Sequence, residues 1–554
     1  MTFVVWRILF LYYHDDRNEK GPGGGVVVLA PARTVGAPPK TPRALAPAPT
    51  PVSVVEYGSR RTLIVIGVMM AALLQTLDST IVNVALPTIE GNIGASIDDG
   101  TWIVTGYIIS NVITIPLVPF FMHRLGRRGY FALCIAGFTI ASFLCGTANS
   151  LESIVLYRVI QGAFGGGLVS MSQIILRETF PPEKFATSQG LFAIALTVGP
   201  AVGPTLGGFL TDQVSWPWIF DINLVPGAIA FMIVLLFVRN PLPPQKAKFD
   251  AVGLGALALG LGAFQYLLDE GERNYWFQDP VILFAGVMSV VGITAFIIWE
   301  LRGAKFPIVN LHVFKHRNVR VGTITGLAVG VVIFGPVILL AQYVQIVIGF
   351  TATLAGLLIL LRAIPVILLT PIVTTLVAKR DPRLIITTGL VISAASFFAL
   401  SQRMTTGSDF PSLAALMVLS GIGQSMLLVP TLYSVLATVP PAESPRVAPF
   451  LSLSVQLGGS IASALLIAFS DTRTFFHSEI FRSAITLSNG AVTNLLDQPH
   501  GLTLLNRIVQ GEAVNAGFAD ALLSLVAVAA LALIPVWLLR RPSAPAQSVD
   551  LAAE

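Results

Sequence analysis

The sequence contains few charged residues, and this scarcity restricts its fold more than any other property. Only 11% of the 554 residues are Asp, Glu, Lys or Arg, whereas 54% are hydrophobic and the mean hydropathy is +0.78. Soluble proteins carry about 25% charged residues, and a soluble core stops growing at about 250–300 residues. These properties exclude a water-soluble fold and indicate that a lipid bilayer surrounds the chain.

Cysteine is almost absent as well. Cys134 and Cys145 lie in one apolar run, about 16 Å apart if that run is a helix. This separation is too long for a disulfide, and we expect neither a redox site nor a metal site. The chain also lacks a G-x-x-x-x-G-K-[ST] loop, which excludes an ATP-driven pump that depends on that loop. We therefore expect no cofactor.

Long apolar segments are abundant, and from Leu63 onward they alternate with short polar connections. In a bilayer, only helices and closed barrels satisfy their own backbone hydrogen bonds. The pattern predicts an all-α, polytopic membrane protein. Because a spanning helix needs about 20 mainly apolar residues, we predict about fourteen spans, near 62–85, 100–121, 129–148, 153–176, 187–210, 217–238, 251–269, 280–300, 321–345, 352–377, 384–402, 411–435, 447–470 and 517–540.

Basic residues are concentrated in alternate connections. The net charge of +5 does not indicate a nucleic-acid partner, because Lys and Arg lie in short loops between apolar runs. Placing the N-terminus in the cytoplasm puts most of them on the cytoplasmic side, which favours an even number of spans with both termini cytoplasmic. The Gly-, Pro- and Ala-rich composition of residues 1–58 predicts a disordered cytoplasmic arm. We also expect a cytoplasmic tail at 542–554 and a long outer loop at 471–516.

The first span carries an acidic residue, Asp78, about 12 Å of helix inside its outer end. An ionised carboxylate at this depth is costly unless it is paired or faces water, and such a group can take up a proton and release it elsewhere. The fourth span carries Arg158 at a similar depth, followed by Gln161. If the two helices are neighbours, an Asp78–Arg158 ion pair that opens on protonation would couple transport to protons. A static pair that only packs the helices is the alternative.

The fifth span repeats glycine every four residues. Gly199, Gly203 and Gly207 line one helix face, and small residues at this spacing let two helix backbones approach closely. Pro200 and Pro204 remove backbone donors and favour a bend. We predict a tight, bent seal rather than a binding pocket. The complete motif is Gly190, Gly199, Pro200, Gly203, Pro204, Gly207 and Gly208.

Two further groups of residues are candidates. Arg362 lies near the middle of the tenth span, where an arginine needs a partner or an aqueous cavity. It is therefore a candidate for attracting an anionic or carbonyl-bearing substrate, with Asp221 as an alternative counter-charge. Other candidates for the substrate cavity, each of which could equally be ordinary helix packing, are Gln75, Asn83, Trp102, Tyr107, Gln342 and Tyr343. A short basic turn that suits a cytoplasmic connection against anionic lipid comprises His123, Arg124, Gly126, Arg127 and Arg128.

The chain resembles the major facilitator superfamily and, within it, the fourteen-span drug:proton antiporters of the EmrB/QacA type. The resemblance runs from about residue 62 to 541 and rests mainly on three motifs. Leu77–Pro87 is similar to the first-span signature, the Gly190–Gly208 pattern to the antiporter motif, and Arg158, Gln161 and Gly162 to the fourth-span motif associated with proton transfer.

One motif departs from the family pattern. The family's loop motif begins with Gly and carries Asp four residues later, whereas this chain has Pro119 and His123 at those positions. This puts in doubt the charge relay attributed to that Asp, and EmrB-like members share the looser form of the motif. The departure therefore favours the EmrB branch.

The resemblance implies a fold, a function and partners. The fold would comprise two six-helix bundles, 59–240 and 304–541, around a central cavity, with two inserted helices in 241–303. The function would be export of lipophilic drugs or toxic small molecules across a bacterial inner membrane, driven by the proton gradient. A periplasmic adaptor and an outer-membrane channel would be the partners.

Other functions remain open. A transporter of the same fold could be a symporter, or an exporter of one metabolite such as an organic acid, a siderophore or a sugar, although the fifth-span motif argues against a symporter. A polytopic enzyme or sensor would need a cluster of catalytic or ligand-binding residues in a sizeable soluble segment. The longest predicted loop, 471–516, has no such cluster, so we do not expect an enzyme.

Overall fold

A computed structural model describes residues 55–240, 249–304, 307–405, 407–440, 443–486, 490–498 and 500–541. The predicted N-terminal arm, apart from its last residues, and the predicted C-terminal tail lie outside these ranges. Within the ranges, fourteen helical segments are long and apolar enough to cross a membrane, which confirms the predicted all-α class and number of spans. They are α1 (Gly58–Ile93), α2 (Trp102–Leu125), α3 (Arg127–Gly146), α4 (Leu151–Thr179), α5 (Pro182–Gln213), α6 (Trp218–Phe237), α7 (Ala251–Glu270), α8 (Pro280–Gly303), α9 (Arg317–Ile346), α10 (Thr353–Lys379), α11 (Pro382–Ser401), α12 (Phe410–Leu436), α13 (Ser444–Ala484) and α14 (Gly501–Leu538).

Side chains at the connections explain where several helices begin. The Asp279 carboxylate accepts the backbone N–H of Val281 at 2.7 Å, so it satisfies one of the free donors at the start of α8. At the joint between α2 and α3, Gly126 has φ +75° and lies against Asn240. Any Cβ there would be strained, because few residues other than glycine adopt positive φ. We call the end of the bundle that contains Gly126 the basic end.

The packing of α1–α6, the first half, is repeated in α9–α14, the second half. In the first half α1 packs on α5 and α6, α2 on α4, and α3 on α4 and α6. The corresponding pairs eight helices later, α9 with α13 and α14, α10 with α12, and α11 with α12 and α14, also pack. The two halves are therefore structural repeats.

The two halves meet along α5 and α10 and near the basic end. Gly190 of α5 lies against Thr370 and Thr374 of α10. At the basic end, Arg177 of α4 donates to the Leu436 carbonyl of α12 at 2.9 Å. The Phe185 ring of α5 stacks on Tyr433 of α12 at 5.4 Å. At this end, α4 and α5 of the first half thus contact α12 of the second half.

Helices α13 and α14 are longer than a membrane span and change the prediction for 471–516. They contain 41 and 38 residues, or about 60 Å each at 1.5 Å per residue, about twice the hydrocarbon thickness. Helix α13 continues to Ala484 and α14 already begins at Gly501. Most of the predicted outer loop is therefore helical. Hydropathy missed these extensions because it detects only the apolar part of a helix.

Candidate functional site

The first half contains a buried ion pair. Asp78 of α1 and Arg158 of α4 have 0% and 1% side-chain exposure, and Arg158 Nη1 donates to Asp78 Oδ2 at 2.6 Å. This geometry agrees with the similar depths expected from the sequence, and it meets the condition that α1 and α4 are neighbours. A charge-assisted bond of this length between fully buried groups is strong, and removing one partner would leave an uncompensated charge.

Two neutral side chains donate hydrogen bonds to Asp78, and a third contacts one of them. Gln161 Nε2 donates to Asp78 Oδ1 at 2.9 Å, and Asn223 Nδ2 donates to the same oxygen at 3.3 Å. Asn223 also donates to Ser142 Oγ of α3 at 3.0 Å. The Asp78 carboxylate therefore accepts hydrogen bonds from Gln161 of α4 and from Asn223 of α6. Sequence analysis did not assign Asn223 to the site, because nothing in its local spacing points to α1.

The Arg158 guanidinium has partners on every side. Its Nε donates to the Ile103 carbonyl of α2 at 3.0 Å, and Nη1 also donates to Gln161 Oε1 at 2.7 Å. The Tyr107 ring lies 4.0 Å from the guanidinium carbon, a distance suited to a cation–π contact. Besides Asp78, Arg158 therefore has polar and aromatic partners on α2 and α4.

The glycine motif of α5 packs directly against α1 around Asp78. A Cβ at Gly199 would overlap the Thr76 side chain, one at Gly203 would overlap Thr80, and one at Gly207 would meet the Ile81 backbone. The predicted close approach thus occurs on α1, immediately before and after the acidic residue. The remaining motif residues, Gly190, Pro200, Pro204 and Gly208, lie on the same helix, and Gly190 faces α10 instead.

The basic loop motif makes contacts of a different kind. Arg127 forms an ion pair with Glu178 at the end of α4. Arg124 and Arg128 are exposed, His123 is half-buried, and the Arg128 backbone N–H donates to the Asn240 side chain at 2.9 Å. These residues lie at the basic end, and the described contacts do not join them to Asp78.

Arg362 of α10 is buried, but its surroundings differ from those predicted. Its Nη1 donates to the Ile333 carbonyl at 2.7 Å, its Nη2 to the Val332 carbonyl at 3.4 Å, and its Nε to Ser420 Oγ at 3.0 Å. Pro336 of α9 lacks the N–H that would otherwise bond the Val332 carbonyl. Arg362 thus compensates for a proline in the neighbouring helix.

Asp221 is not the counter-charge of Arg362. It lies in the first half beside Gly146, whereas Arg362 lies between α9, α10 and α12 of the second half. Among the described residues, the hydrogen-bond acceptors of Arg362 are all neutral.

The other cavity candidates do not form one cluster. Tyr107 and Gln75 belong to the surroundings of Arg158, since the Tyr107 hydroxyl donates to the Gln75 carbonyl at 3.5 Å. Trp102 stacks on Tyr266 of α7 at 5.4 Å. Tyr343 is buried in the second half, where its hydroxyl donates to the Thr405 carbonyl at 2.9 Å. The remaining two are Asn83, which is exposed, and Gln342, which is half-buried.

Cys134 and Cys145 are both free and buried. In the part of the chain that the structure describes, no group of three or more His, Cys, Asp or Glu side chains could hold a metal ion.

Comparison with known proteins agrees with this architecture. Residues 68–463 match the Major Facilitator Superfamily. The multidrug export protein EmrB of Escherichia coli K12 is 32% identical over 455 residues, which cover 82% of this chain and 89% of EmrB. The fatty acid resistance protein FarB of Neisseria gonorrhoeae is 33% identical over 408 residues, 74% of this chain and 77% of FarB.

A solved structure has the same fold. The crystal structure of the human organic anion transporter MFSD10 (TETRAN) aligns with a TM-score of 0.54 at 16% identity, covering 87% of this chain and all of that chain. At this identity the likeness concerns the fold alone. The family match over most of the chain, the repeated halves and the fourteen spans lead to one conclusion: the chain is a multi-pass membrane transporter of the major facilitator superfamily, with EmrB-like relatives.

Proposed function

We propose that the protein is a proton-coupled antiporter that exports lipophilic drugs or toxic small molecules across a bacterial inner membrane. The observation that carries this proposal is the buried Asp78–Arg158 pair, placed where the α5 glycine face contacts α1. The names of the relatives support the class of cargo, since they include multidrug export and fatty acid resistance proteins. The proton gradient is the driving force in this proposal, so no cofactor is needed.

The coupling follows from the charge of Asp78. When Asp78 takes up a proton, it loses the negative charge that holds Arg158, and the two helices are free to separate. Thr76 and Thr80 contact α5 on either side of Asp78, so a movement of α1 displaces α5. Helix α5 also packs on α10 through Gly190 and Thr205. A proton bound in the first half thereby changes the contact between the halves.

The orientation in the membrane is part of the proposal. The basic end carries Arg124, Arg127 and Arg128, and basic residues are enriched on the cytoplasmic side. We therefore place the basic end and both termini in the cytoplasm. Alkaline phosphatase fused after Arg541 is active only on the outer side of the inner membrane, where its disulfides form, so activity of this fusion would contradict the proposed orientation.

A periplasmic adaptor and an outer-membrane channel are the proposed partners. The ends of α13 and α14 that lie away from the basic end belong to helices longer than a membrane span. In this proposal they extend beyond the bilayer, where an adaptor could contact the exporter. Co-purification of an adaptor encoded by the same bacterium tests this. Its repeated absence under conditions that retain the exporter's activity would argue for export by the protein alone.

The central experiment uses the purified protein in vesicles with an imposed pH difference. The cargo panel includes a lipophilic cationic dye and a long-chain fatty acid. We expect Asp78→Asn to abolish gradient-driven transport while it still binds cargo, because the neutral side chain cannot cycle a proton. Asp212→Asn, at an exposed carboxylate near the end of α5, is the matched control and should transport like the wild type. Undiminished gradient-driven transport by Asp78→Asn contradicts the proposal.

An exporter of one anionic metabolite is the second candidate function. It is favoured by Arg362, a buried cation whose described hydrogen-bond acceptors are neutral. The same panel separates the two candidates, because a drug exporter transports both the dye and the fatty acid, whereas an exporter of anionic metabolites transports only the acid.

A further inference from the structure

Asn223 lies at a joint within α6, and its own helix does not use its side chain. Trp218–Asp221 and Leu224–Phe237 are the two helical parts of this span, and Asn223 is the residue before the second part. Asparagine at such a position commonly accepts a backbone N–H of the first helical turn. Here the side chain makes no such bond, and Pro226, three residues on, has no N–H to donate. The amide of Asn223 is therefore available to other helices.

The amide of Asn223 joins α6 to α1 and α3. Its Nδ2 donates to Asp78 Oδ1 at 3.3 Å and to Ser142 Oγ of α3 at 3.0 Å, and all three side chains are buried. One turn further along α6, a Cβ at Gly227 would overlap Thr139 of α3. Helices α3 and α6 thus approach closely beside Asn223, and this approach brings the amide to Ser142.

Ser142 determines which end of the Asn223 amide faces Asp78. The Ser142 hydroxyl donates its one hydrogen to the Phe220 carbonyl at 2.9 Å, so its oxygen can only accept a hydrogen bond from Asn223. The amide nitrogen, with its two hydrogens, therefore lies on the side of Ser142 and Asp78. An ionised carboxylate also only accepts hydrogen bonds. The orientation that Ser142 requires is thus the one that suits the charged form of Asp78.

The other titratable groups around Asp78 come from α2, α3, α4 and α6. Arg158 of α4 is its ion-pair partner, and Tyr107 of α2 and Cys145 of α3 interact with it electrostatically. Asp221 of α6 lies beside the last residue of α3. The residues of α5 that contact α1 on either side of Asp78 are glycines, which carry no charge. Any effect of Asn223 on the proton at Asp78 is therefore exerted beside a guanidinium that stays in place.

Asn223 differs in this respect from Gln161, the other neutral donor to Asp78. Gln161 Nε2 donates to Asp78 Oδ1, and its Oε1 accepts from Arg158 at 2.7 Å. Replacing Gln161 therefore alters both partners of the ion pair. Among the described residues, the Asn223 side chain donates only to Asp78 and Ser142. Replacing Asn223 changes the surroundings of the carboxylate and leaves the contacts of Arg158 intact.

We propose that Asn223 is a positioning residue that sets the proton affinity of Asp78, and that Ser142 holds its amide in the required orientation. A hydrogen bond donated to the charged form of a carboxylate favours that form. Asn223 therefore lets Asp78 release its proton to cytoplasmic water, when the basic end opens, at a pH where a carboxylate without this donor keeps its proton. This inference deepens the proton-coupled export proposed above and rests on it for its effect on transport.

The pH at which Asp78 binds its proton can be measured without transport. Infrared difference spectra of the full-length protein in vesicles are recorded at a series of pH values, and the protonated-carboxyl band that is absent from Asp78→Asn belongs to Asp78. We expect Asn223→Leu to raise the midpoint of this band by about one pH unit, because the charged form loses one donor while the protonated form does not depend on it. An unchanged or lower midpoint overturns the inference.

Ser142→Ala is a second variant, in which the amide of Asn223 is kept. The Phe220 carbonyl still accepts the Asn223 backbone N–H at 3.1 Å, so the substitution leaves that carbonyl paired. Without the Ser142 hydroxyl the amide is free to turn its oxygen toward Asp78, which favours the protonated carboxyl. We expect the midpoint to rise, as for Asn223→Leu. If Asn223→Leu does not fold, an unchanged midpoint for Ser142→Ala overturns the inference.

Ser172→Ala is the matched control. Ser172 of α4 is buried, and its hydroxyl donates to the Val68 carbonyl of α1 at 3.0 Å, so it joins the same two helices as the ion pair. Its described hydrogen bonds do not include Asp78. We expect the wild-type midpoint. An equal rise for Ser172→Ala would show that any loosening of α1 and α4 moves the midpoint, and the specific role of Asn223 would then be wrong.

Transport separates this inference from the proposed function. At a constant pH difference across the vesicles, we expect the pH profile of the transport rate of Asn223→Leu to move to higher pH by the same amount as the band. If the band moves but Asp78→Asn keeps gradient-driven transport, the proposed coupling fails and the effect of Asn223 on Asp78 stands. If Asp78→Asn is inactive and the band and profile of Asn223→Leu match the wild type, the proposed function stands and this inference fails.

Discussion

Two buried arginines, Arg158 and Arg362, have different partners and therefore different effects when replaced. Arg158 donates to a carboxylate, whereas Arg362 donates to a hydroxyl and to carbonyls near Pro336. A buried carbonyl left without its donor costs about 1–3 kcal/mol. We expect both Arg362→Met and Arg362→Lys to lower the melting temperature, because lysine cannot form the same fork of bonds. Melting by fluorescence-detected size exclusion checks this.

The pair of variants at Arg362 also tests its role in substrate binding. If Arg362 attracts anions, Arg362→Lys retains fatty acid binding and Arg362→Met loses it, whereas dye binding is the same in both. Equal fatty acid binding by the two variants would show that Arg362 contacts α9 and α12 but does not bind the substrate.

The residues of the candidate site differed in how far they could be predicted. Asp78 and Arg158 could be paired from the sequence, because an acid and a base at similar depths in apolar helices each need a partner. The role of Asn223 and the partners of Arg362 could not be predicted from the sequence, because they depend on which helices are in contact.

Among the helices, α5 shows most directly how sequence spacing sets packing. The four-residue glycine period predicted a close approach, and the structure identifies α1 as the partner. The sequence could not identify that partner, because the period describes one face of one helix. The lengths of α13 and α14 could not be predicted either, because the residues that extend each helix past its apolar part are amphipathic or polar.

We expect Gly203→Val to reduce both stability and transport, although the substitution adds only a small side chain. The added side chain would collide with Thr80, which lies two residues after Asp78, and overpacking of this kind costs about 1–3 kcal/mol. We expect a lower melting temperature and also a loss of transport in vesicles by the protein that remains folded, because α5 transmits the movement of α1. Gly91→Val is the matched control, since a Cβ at Gly91 meets no atom within 4 Å. Equal losses for both variants would contradict a specific seal at α5.

The whole molecule is a repeat whose two halves have different electrostatics. The junction of α1, α2 and α4 contains the Asp78–Arg158 pair. The corresponding junction of α9, α10 and α12 contains Arg362 and no described carboxylate partner. The proton site of the proposed cycle therefore belongs to one half only, and the other half must follow through contacts. Those contacts include the α5–α10 packing, the hydrogen bonds of α13 to Asn111 of α2 and Gln173 of α4, and the contacts at the basic end.

The contacts at the basic end predict that closure there is reversible during transport. Phe185 of α5 and Tyr433 of α12 stack at 5.4 Å, so a Phe185→Cys, Tyr433→Cys variant can be joined by a short bifunctional methanethiosulfonate. We expect the cross-link to stop transport and a reductant to restore it, because a cargo that enters from the cytoplasm needs this end to open. Each single-cysteine variant treated with the same reagent is the control, and both native cysteines are buried. Full transport with the cross-link in place would show that the halves need not separate at this end, and the proposed path through the basic end would then be wrong.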